Sequence, residues 1–168
     1  MVLFYFLGSV TNRRFEYREM PISVASRSGH STSTFKNTAV IVGGRSDKLY
    51  EMHKVAHAFS SSSPSTQITS KNPAMAKLPG GRKHHSATVL GNNILVFGGE
   101  TFDGKSKEPV SETYLIDSKD NFSWKSLGKA AIGRSGHVAV AFNNGVVIHG
   151  GVGERNLVSS LTFHLKVS

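Results

Sequence analysis

Arginine and histidine recur at a fixed spacing, and both residue types could do chemistry. The tetrads Arg27–His30, Arg82–His85 and Arg134–His137 each place an arginine three residues before a histidine. Imidazole can transfer a proton or bind a metal, and a guanidinium can hold a carboxylate or several carbonyl groups. Because the pair recurs in every repeat, we expect a structural role in which the arginines brace adjacent repeats. Lining of a central ligand pocket is the alternative.

A glycine pair follows each tetrad at the same distance. The pairs are Gly43–Gly44, Gly98–Gly99 and Gly150–Gly151, and each begins 13 residues after the tetrad histidine. The tetrads themselves start 55 and 52 residues apart. Glycine allows positive φ and close approach of another backbone, so we expect sharp turns here. A phosphate-binding loop would need a following helix, and the repeat pattern predicts none after these pairs.

Catalytic residues, metal ligands and cofactors are not expected in this chain. The sequence has eight histidines and no cysteine. His84 and His85 are adjacent and would point to opposite faces of a strand. His53 and His57 would suit zinc on a helix, but the repeat register favours a third strand at residues 49–55. We therefore predict no metal site, no cofactor and no enzymatic activity.

Strand-like segments separate these motifs, and the second repeat is the most complete. Its apolar runs predict strands at residues 86–90, 94–97, 113–117 and 122–125. The other two repeats show matching hairpins at 31–42 and 138–148. The second strand of each hairpin is apolar throughout, which is typical of a strand covered on both faces. Tyr114 and Trp124 are interpreted as aromatics that pack within the sheet.

This pattern of four strands, glycine pairs, a tyrosine and a tryptophan at a period of about 50 residues resembles the kelch repeat. The resemblance implies four-stranded β-propeller blades. The fold class is therefore all-β: a partial kelch β-propeller of about three four-stranded antiparallel blades plus partial blades. The blocks Ala25–His30, Arg82–Ser86 and Val96–Thr101 most resemble the C-terminal half of the kelch domain-containing protein 9 subfamily. That subfamily resemblance implies a cyclin as partner.

The repeats also set the domain organisation. Residues 1–22 are interpreted as the end of a preceding blade, with strands at 2–7 and 14–20. Residues 23–59 form a blade, 60–80 a flexible insertion, 81–128 a complete blade and 129–168 a last blade that lacks its outer strand. A propeller closes with about four to eight blades, so we interpret the chain as part of a longer propeller. Open blade edges would then favour self-association.

Composition and charge narrow the function classes. Hydrophobic residues make up 38% and charged residues 18%, which is typical of a globular domain. The formal charge is +9, but the basic residues are dispersed, so a nucleic-acid partner is not expected. The apolar segment Met1–Leu7 is too short to span a membrane and is interpreted as a buried strand. A cytoplasmic or nuclear location is expected.

The predicted function is a non-enzymatic scaffold that binds another protein. Partner-binding residues are expected in two loops, at Ser60 and Pro64 in the first and at Phe102, Asp103 and Lys105 in the second. A substrate-recognition subunit of a ubiquitin ligase is one alternative, although such subunits usually carry a further domain. A metal-dependent enzyme site in the propeller channel is the other.

Overall fold

The computed structural model describes residues 4–6, 17–19, 25–46, 56–60, 80–102, 107–120 and 122–167. In these ranges the regular structure is β-strand, apart from one 3-10 turn at Glu154–Asn156. Runs rich in valine, isoleucine and threonine, separated by short turns with glycine and asparagine, favour antiparallel hairpins. None of the described residues forms a helix long and apolar enough to cross a membrane.

The strands are short, and most have five residues. In chain order they are β1 (Phe4–Phe6), β2 (Tyr17–Glu19), β3 (Ser31–Phe35), β4 (Thr38–Val42), β5 (Ala56–Ser60), β6 (Ser86–Leu90), β7 (Asn93–Phe97), β8 (Glu100–Phe102), β9 (Lys107–Pro109), β10 (Glu112–Asp117), β11 (Ser123–Lys129), β12 (Val138–Phe142), β13 (Gly145–His149) and β14 (Thr162–Lys166).

The strands form three successive antiparallel sheets that we call blades. The first blade is β3-β4-β5, the second is β6-β7-β10-β11 and the third is β12-β13-β14. β8 and β9 pair as a hairpin inserted in the second blade, and β1 pairs with β2. The first strand of the second blade, β6, contacts the first strands β3 and β12 of its neighbours. Sheets that approach each other at their inner strands are the arrangement of a partial β-propeller.

Hydrophobic side chains fill the two spaces between the blades. β7 alternates its side chains, so Ile94 and Val96 face the first blade while Leu95 and Phe97 face the third. All four are fully buried. The first interface adds Val40, Val42, Tyr114 and Ile116, and the second adds Leu115, Val146 and Ile148. A second strand covered on both faces is therefore confirmed for the second blade.

The strand expectations hold for most elements, and one of them is wrong. The second blade has its four predicted strands, and β14 lies within the predicted range 160–167. The third strand of the first blade is β5, Ala56–Ser60, and not residues 49–55. β5 pairs fully with β4, so hydrogen-bond register fixes its position. Residues 49–55 lie outside the described residues.

Candidate interaction face

One end of the blades carries all the recurring motifs. Because strand direction alternates, the tetrads, the glycine pairs and the β8–β9 hairpin lie at the same end of the sheets. The hairpin turn at Gly91–Asn92 and the turn at residues 118–120 lie at the opposite end. We call the end with the tetrads the loop face.

The tetrad arginines bind the backbone of their own blade. In each, Nη1 donates to the carbonyl of the first glycine of the pair, 16 residues along the chain. These distances are 3.0 Å for Arg27 to Gly43, 2.9 Å for Arg82 to Gly98 and 3.1 Å for Arg134 to Gly150. Arg82 and Arg134 are almost fully buried. The sequence predicted braces to adjacent blades, whereas these side chains tie the start of a blade to the end of its own second strand.

The tetrad histidines make the link between blades. Nε2 of His85 shares a hydrogen bond of 2.7 Å with the hydroxyl of Ser31 in the first blade. Nε2 of His137 makes the same bond, 2.9 Å long, with Ser86 in the second. Burial lowers the pKa of His85 to about 3 and that of His137 to about 4. Both imidazoles are therefore neutral at physiological pH, so they are poor candidates for a cationic ligand pocket.

The glycine pairs bring neighbouring backbones into contact. Gly44 N–H donates to Arg82 O at 2.9 Å, and Gly99 N–H donates to Arg134 O at 2.7 Å. A Cβ on Gly98 would lie 2.5 Å from the Arg134 carbonyl oxygen, and φ at Gly98 is +63°. No other residue type fits this position without displacing the next blade.

Tyr114 and Trp124 lie on the second blade, and their side chains face the first blade. Their rings make an edge-to-face contact with centroids 6.2 Å apart. The Arg82 guanidinium lies over the Tyr114 ring at 5.0 Å, which adds a cation–π contact. Trp124 is only partly buried, and both rings pack against the first interface.

A charged group at the loop face joins the second blade to the third. Lys83 Nζ lies 2.6 Å from Glu100 Oε1, and the Ser135 hydroxyl donates to Glu100 Oε2 at 3.3 Å. Burial alone would raise the pKa of Glu100, but the hydrogen bond and charge of Lys83 outweigh it and keep that pKa below the usual value. His84 Nδ1 lies 4.0 Å from the same carboxylate.

Most of the residues expected to bind a metal or a partner do not take part in these contacts. In the part of the chain that the structure describes, no group of three or more metal-binding side chains comes together. His57 lies in β5, and His53 lies outside the described residues, as do Pro64, Asp103 and Lys105. Ser60 is the last residue of β5, and Phe102 ends β8, so both are strand and not loop residues.

Sequence reasoning missed the serines that receive the histidines. Ser31 and Ser86 each follow a tetrad histidine directly. A hydroxyl next to the tetrad in two repeats was the available signal. It also missed Glu100, which directly follows a glycine pair.

Comparison with known proteins agrees with this geometry. The family profile of the KLHDC2/KLHL20/DRC7 Kelch-repeats domain matches residues 29–166. The chain belongs to the kelch-repeat family. The match covers all three tetrads except the first two residues of the first one, so the repeat found in the sequence is the kelch repeat.

Two curated relatives show the extent of the similarity. The leucine-zipper-like transcriptional regulator 1 homolog of Drosophila melanogaster is 27% identical over 132 residues, which cover 76% of this chain and 13% of that protein. Kelch domain-containing protein 3 of Rattus norvegicus is 28% identical over 140 residues, which cover 82% of this chain and 35% of that protein. The kelch chain thus spans about a third or less of these relatives.

A solved structure confirms the fold. The structure of YjhT matches with a TM-score of 0.72 and 15% sequence identity, over 98% of this chain and 49% of that one. At this identity the likeness concerns the fold alone. The three kelch blades therefore superpose on about half of the YjhT chain.

Proposed function

We propose that this kelch chain is a non-enzymatic module that binds a segment of another protein at its loop face, as part of a longer propeller. The observation that carries the proposal is the locked geometry of this face. Backbone hydrogen bonds and histidine–serine bonds hold the tetrads of adjacent blades in register. Arginine–carbonyl bonds fix each tetrad to its own blade. A rigid face loses little conformational entropy when a partner binds.

The β8–β9 hairpin is the main projection of this face among the described residues. It pairs Glu100 with Pro109 and Phe102 with Lys107, beyond the ends of β7 and β10. Residues 61–79, the predicted insertion, connect Ser60, which pairs with Thr38 at the opposite end of the first blade, to Gly80 at the loop face. We expect a partner segment to contact both, and a cyclin is the partner that the subfamily resemblance implies. The cytoplasm or nucleus is the proposed location.

Selection from a peptide library on the immobilised chain tests the proposal. Two variants then map the selected peptide: residues 103–106 replaced by Asn-Gly, which suits a two-residue hairpin, and residues 61–79 replaced by a Gly-Ser linker. We expect at least one to weaken binding by about tenfold. A matched control is Asn92→Gly, in the turn at the opposite end of the second blade. Binding of purified cyclins to the immobilised chain is measured separately.

Two outcomes would contradict the module. One is a library selection that enriches no sequence above background. The other is a selected peptide whose affinity is the same for both loop variants and the Asn92→Gly control, because its site then lies elsewhere.

A further inference from the structure

The second blade departs from its neighbours at the two middle positions of the tetrad. The first and third blades have Ser28-Gly29 and Ser135-Gly136, whereas the second has Lys83-His84. Glycine suits the third tetrad position because φ there is +67° in the first blade and +66° in the third. His84 adopts φ of +55°, a left-handed conformation that disfavours a side chain. A histidine held at a glycine position points to a use for its side chain.

Backbone hydrogen bonds place His84 between the other two blades. Its N–H donates to Gly29 O at 2.7 Å, and its carbonyl accepts from Gly136 N–H at 2.9 Å. These three residues form a continuous row just before the inner strands β3, β6 and β12. We call this row the axial rim. Since the inner strands are those where the blades converge, the axial rim lies at the mouth of the propeller channel.

The His84 side chain is held on one side and open on the other. A Cβ on Gly29 would lie 2.8 Å from His84 Cδ2, so the ring rests against the first blade. A Cβ on Gly136 would have no atom within 4 Å, so there is room next to the third blade. The His84 side chain remains 45% exposed. An incoming group can therefore reach the ring from the axial rim.

The charges around His84 are mainly positive. Lys83, Arg45 and Lys107 each lower the pKa of His84 through their charge, after the larger effect of burial, and Glu100 alone raises it. Arg45 follows the glycine pair of the first blade, as Glu100 follows that of the second. Lys107 begins β9, so the inserted hairpin brings it to the same place. An anion at the axial rim would meet this positive potential and a ring N–H.

We propose that the axial rim at His84 binds a carboxylate side chain from an acidic segment of the partner protein. The imidazole N–H donates to the carboxylate, and the Lys83–Glu100 pair fixes the position of the histidine backbone. Arg45 and Lys107 supply attraction from the first blade and the inserted hairpin. This inference rests on the proposed function, since it gives the chemistry of the partner that the loop face binds.

Fluorescent hexaglutamate is a direct probe of this site. His84→Gly changes no formal charge at neutral pH and suits the backbone, so it separates the ring from the general basicity of the chain. We expect it to weaken hexaglutamate binding about tenfold, the usual effect of losing one hydrogen bond to a charged group. Lys83→Ser should weaken binding too. The charge-matched control Lys119→Ser, in an exposed turn at the opposite end, should have a much smaller effect.

The pH dependence gives a readout that altered folding would not mimic. Protonation of His84 beside a bound carboxylate is favourable, so wild-type affinity should rise several-fold from pH 7.5 to pH 6. His84→Asn keeps an N–H donor and tolerates positive φ, but it does not titrate. We expect this variant to retain most of the affinity at pH 7.5 and to lose the rise at lower pH.

The site is overturned if His84→Gly binds hexaglutamate as tightly as the wild type, or if Lys119→Ser weakens binding as much as Lys83→Ser. Peptides selected without acidic residues, together with unchanged hexaglutamate binding in His84→Gly, would reject the site and leave the module standing. If hexaglutamate binding depends on His84 but the library selection enriches no peptide, the proposed peptide-binding function is rejected and the carboxylate site at His84 is retained.

Discussion

The ring Nε2 of His85 lies 2.7 Å from the hydroxyl oxygen of Ser31, and these two residues belong to different blades. His137 and Ser86 repeat the relationship one blade further on. Each histidine ends a tetrad whose arginine binds its own blade, so a single tetrad carries both the internal and the external bond. A segment of four residues at the loop face therefore contacts both its own blade and the preceding one.

Removing the Ser86 hydroxyl should loosen the contact between the second and third blades. Ser86→Ala leaves Nε2 of the buried His137 without this partner. We expect a loss of about 1–2 kcal/mol in the free energy of unfolding, measured by urea denaturation. Thr34→Ala, at an exposed position on β3, is the control and should cost about 0.5 kcal/mol or less. Equal losses in the two variants would mean that the histidine–serine bond contributes nothing.

Acidification should destabilise the fold before the carboxylates titrate. The folded pKa values of His85 and His137 are about 3 and about 4, below the unfolded value of roughly 6.5. Because the unfolded chain takes up protons more readily, stability is fully present above pH 6.5 and decreases as the pH falls below it. At pH 5.5 the two sites together should cost about 3 kcal/mol relative to pH 7.5.

Urea denaturation at a series of pH values measures this effect. His137→Gln removes one of the two titrating groups and should reduce the loss between pH 7.5 and pH 5.5 by about half. A wild-type unfolding free energy that stays constant over this range would contradict the burial of both imidazoles.

Two glycines that occupy the same position in different blades separate crowding from backbone conformation. Gly98 and Gly150 both have positive φ, +63° and +71°. An added Cβ would lie 2.5 Å from the Arg134 carbonyl oxygen at Gly98, but 3.6 Å from its nearest neighbour, Ser159 O, at Gly150. Gly150→Ala should therefore cost about 1 kcal/mol, and Gly98→Ala roughly 3 kcal/mol or more.

Thermal and urea unfolding of the two alanine variants give the comparison directly. Similar losses would mean that the close approach of the third blade to Gly98 is not what requires glycine there.

The sequence was most informative where several residues repeat together. Tetrads and glycine pairs at equal spacing gave the blade hairpins, because each marks one end of the same two strands. The third strand of the first blade was misplaced because residues 49–55 contain no such marker. The spacing does hold a clue: from the second glycine of the pair to the start of the third strand is 12, 13 and 11 residues in the three blades.

The site was harder to predict, because contacts between blades are not visible in one repeat. Arg82 was expected to bind an adjacent blade, but the geometry directs its guanidinium to Gly98 in its own. His84 was read only as a neighbour of His85 on a strand. Its positive φ places it before the strand instead, and tertiary hydrogen bonds on both sides hold it there.

The outer face of the third blade gives the last prediction, which concerns self-association. Val138, Val140 and Phe142 are 66%, 61% and 54% exposed on β12. The corresponding β3 residues of the first blade, Ser31, Ser33 and Phe35, are at least partly buried because the second blade covers them. An apolar blade face of this kind favours a second copy of the chain at high concentration.

Sedimentation velocity over a wide concentration range measures this association. The double variant Val138→Ser/Val140→Thr gives β12 the Ser86 and Thr88 of the second blade, and so removes apolar area without introducing charge. We expect the dissociation constant of the self-associated form to rise about tenfold. Leu127→Ser, on the outer strand β11, is the control and should leave it unchanged. If the wild type sediments as a monomer throughout, a second copy does not cover this face, and exposed valines alone are not sufficient to join two blades.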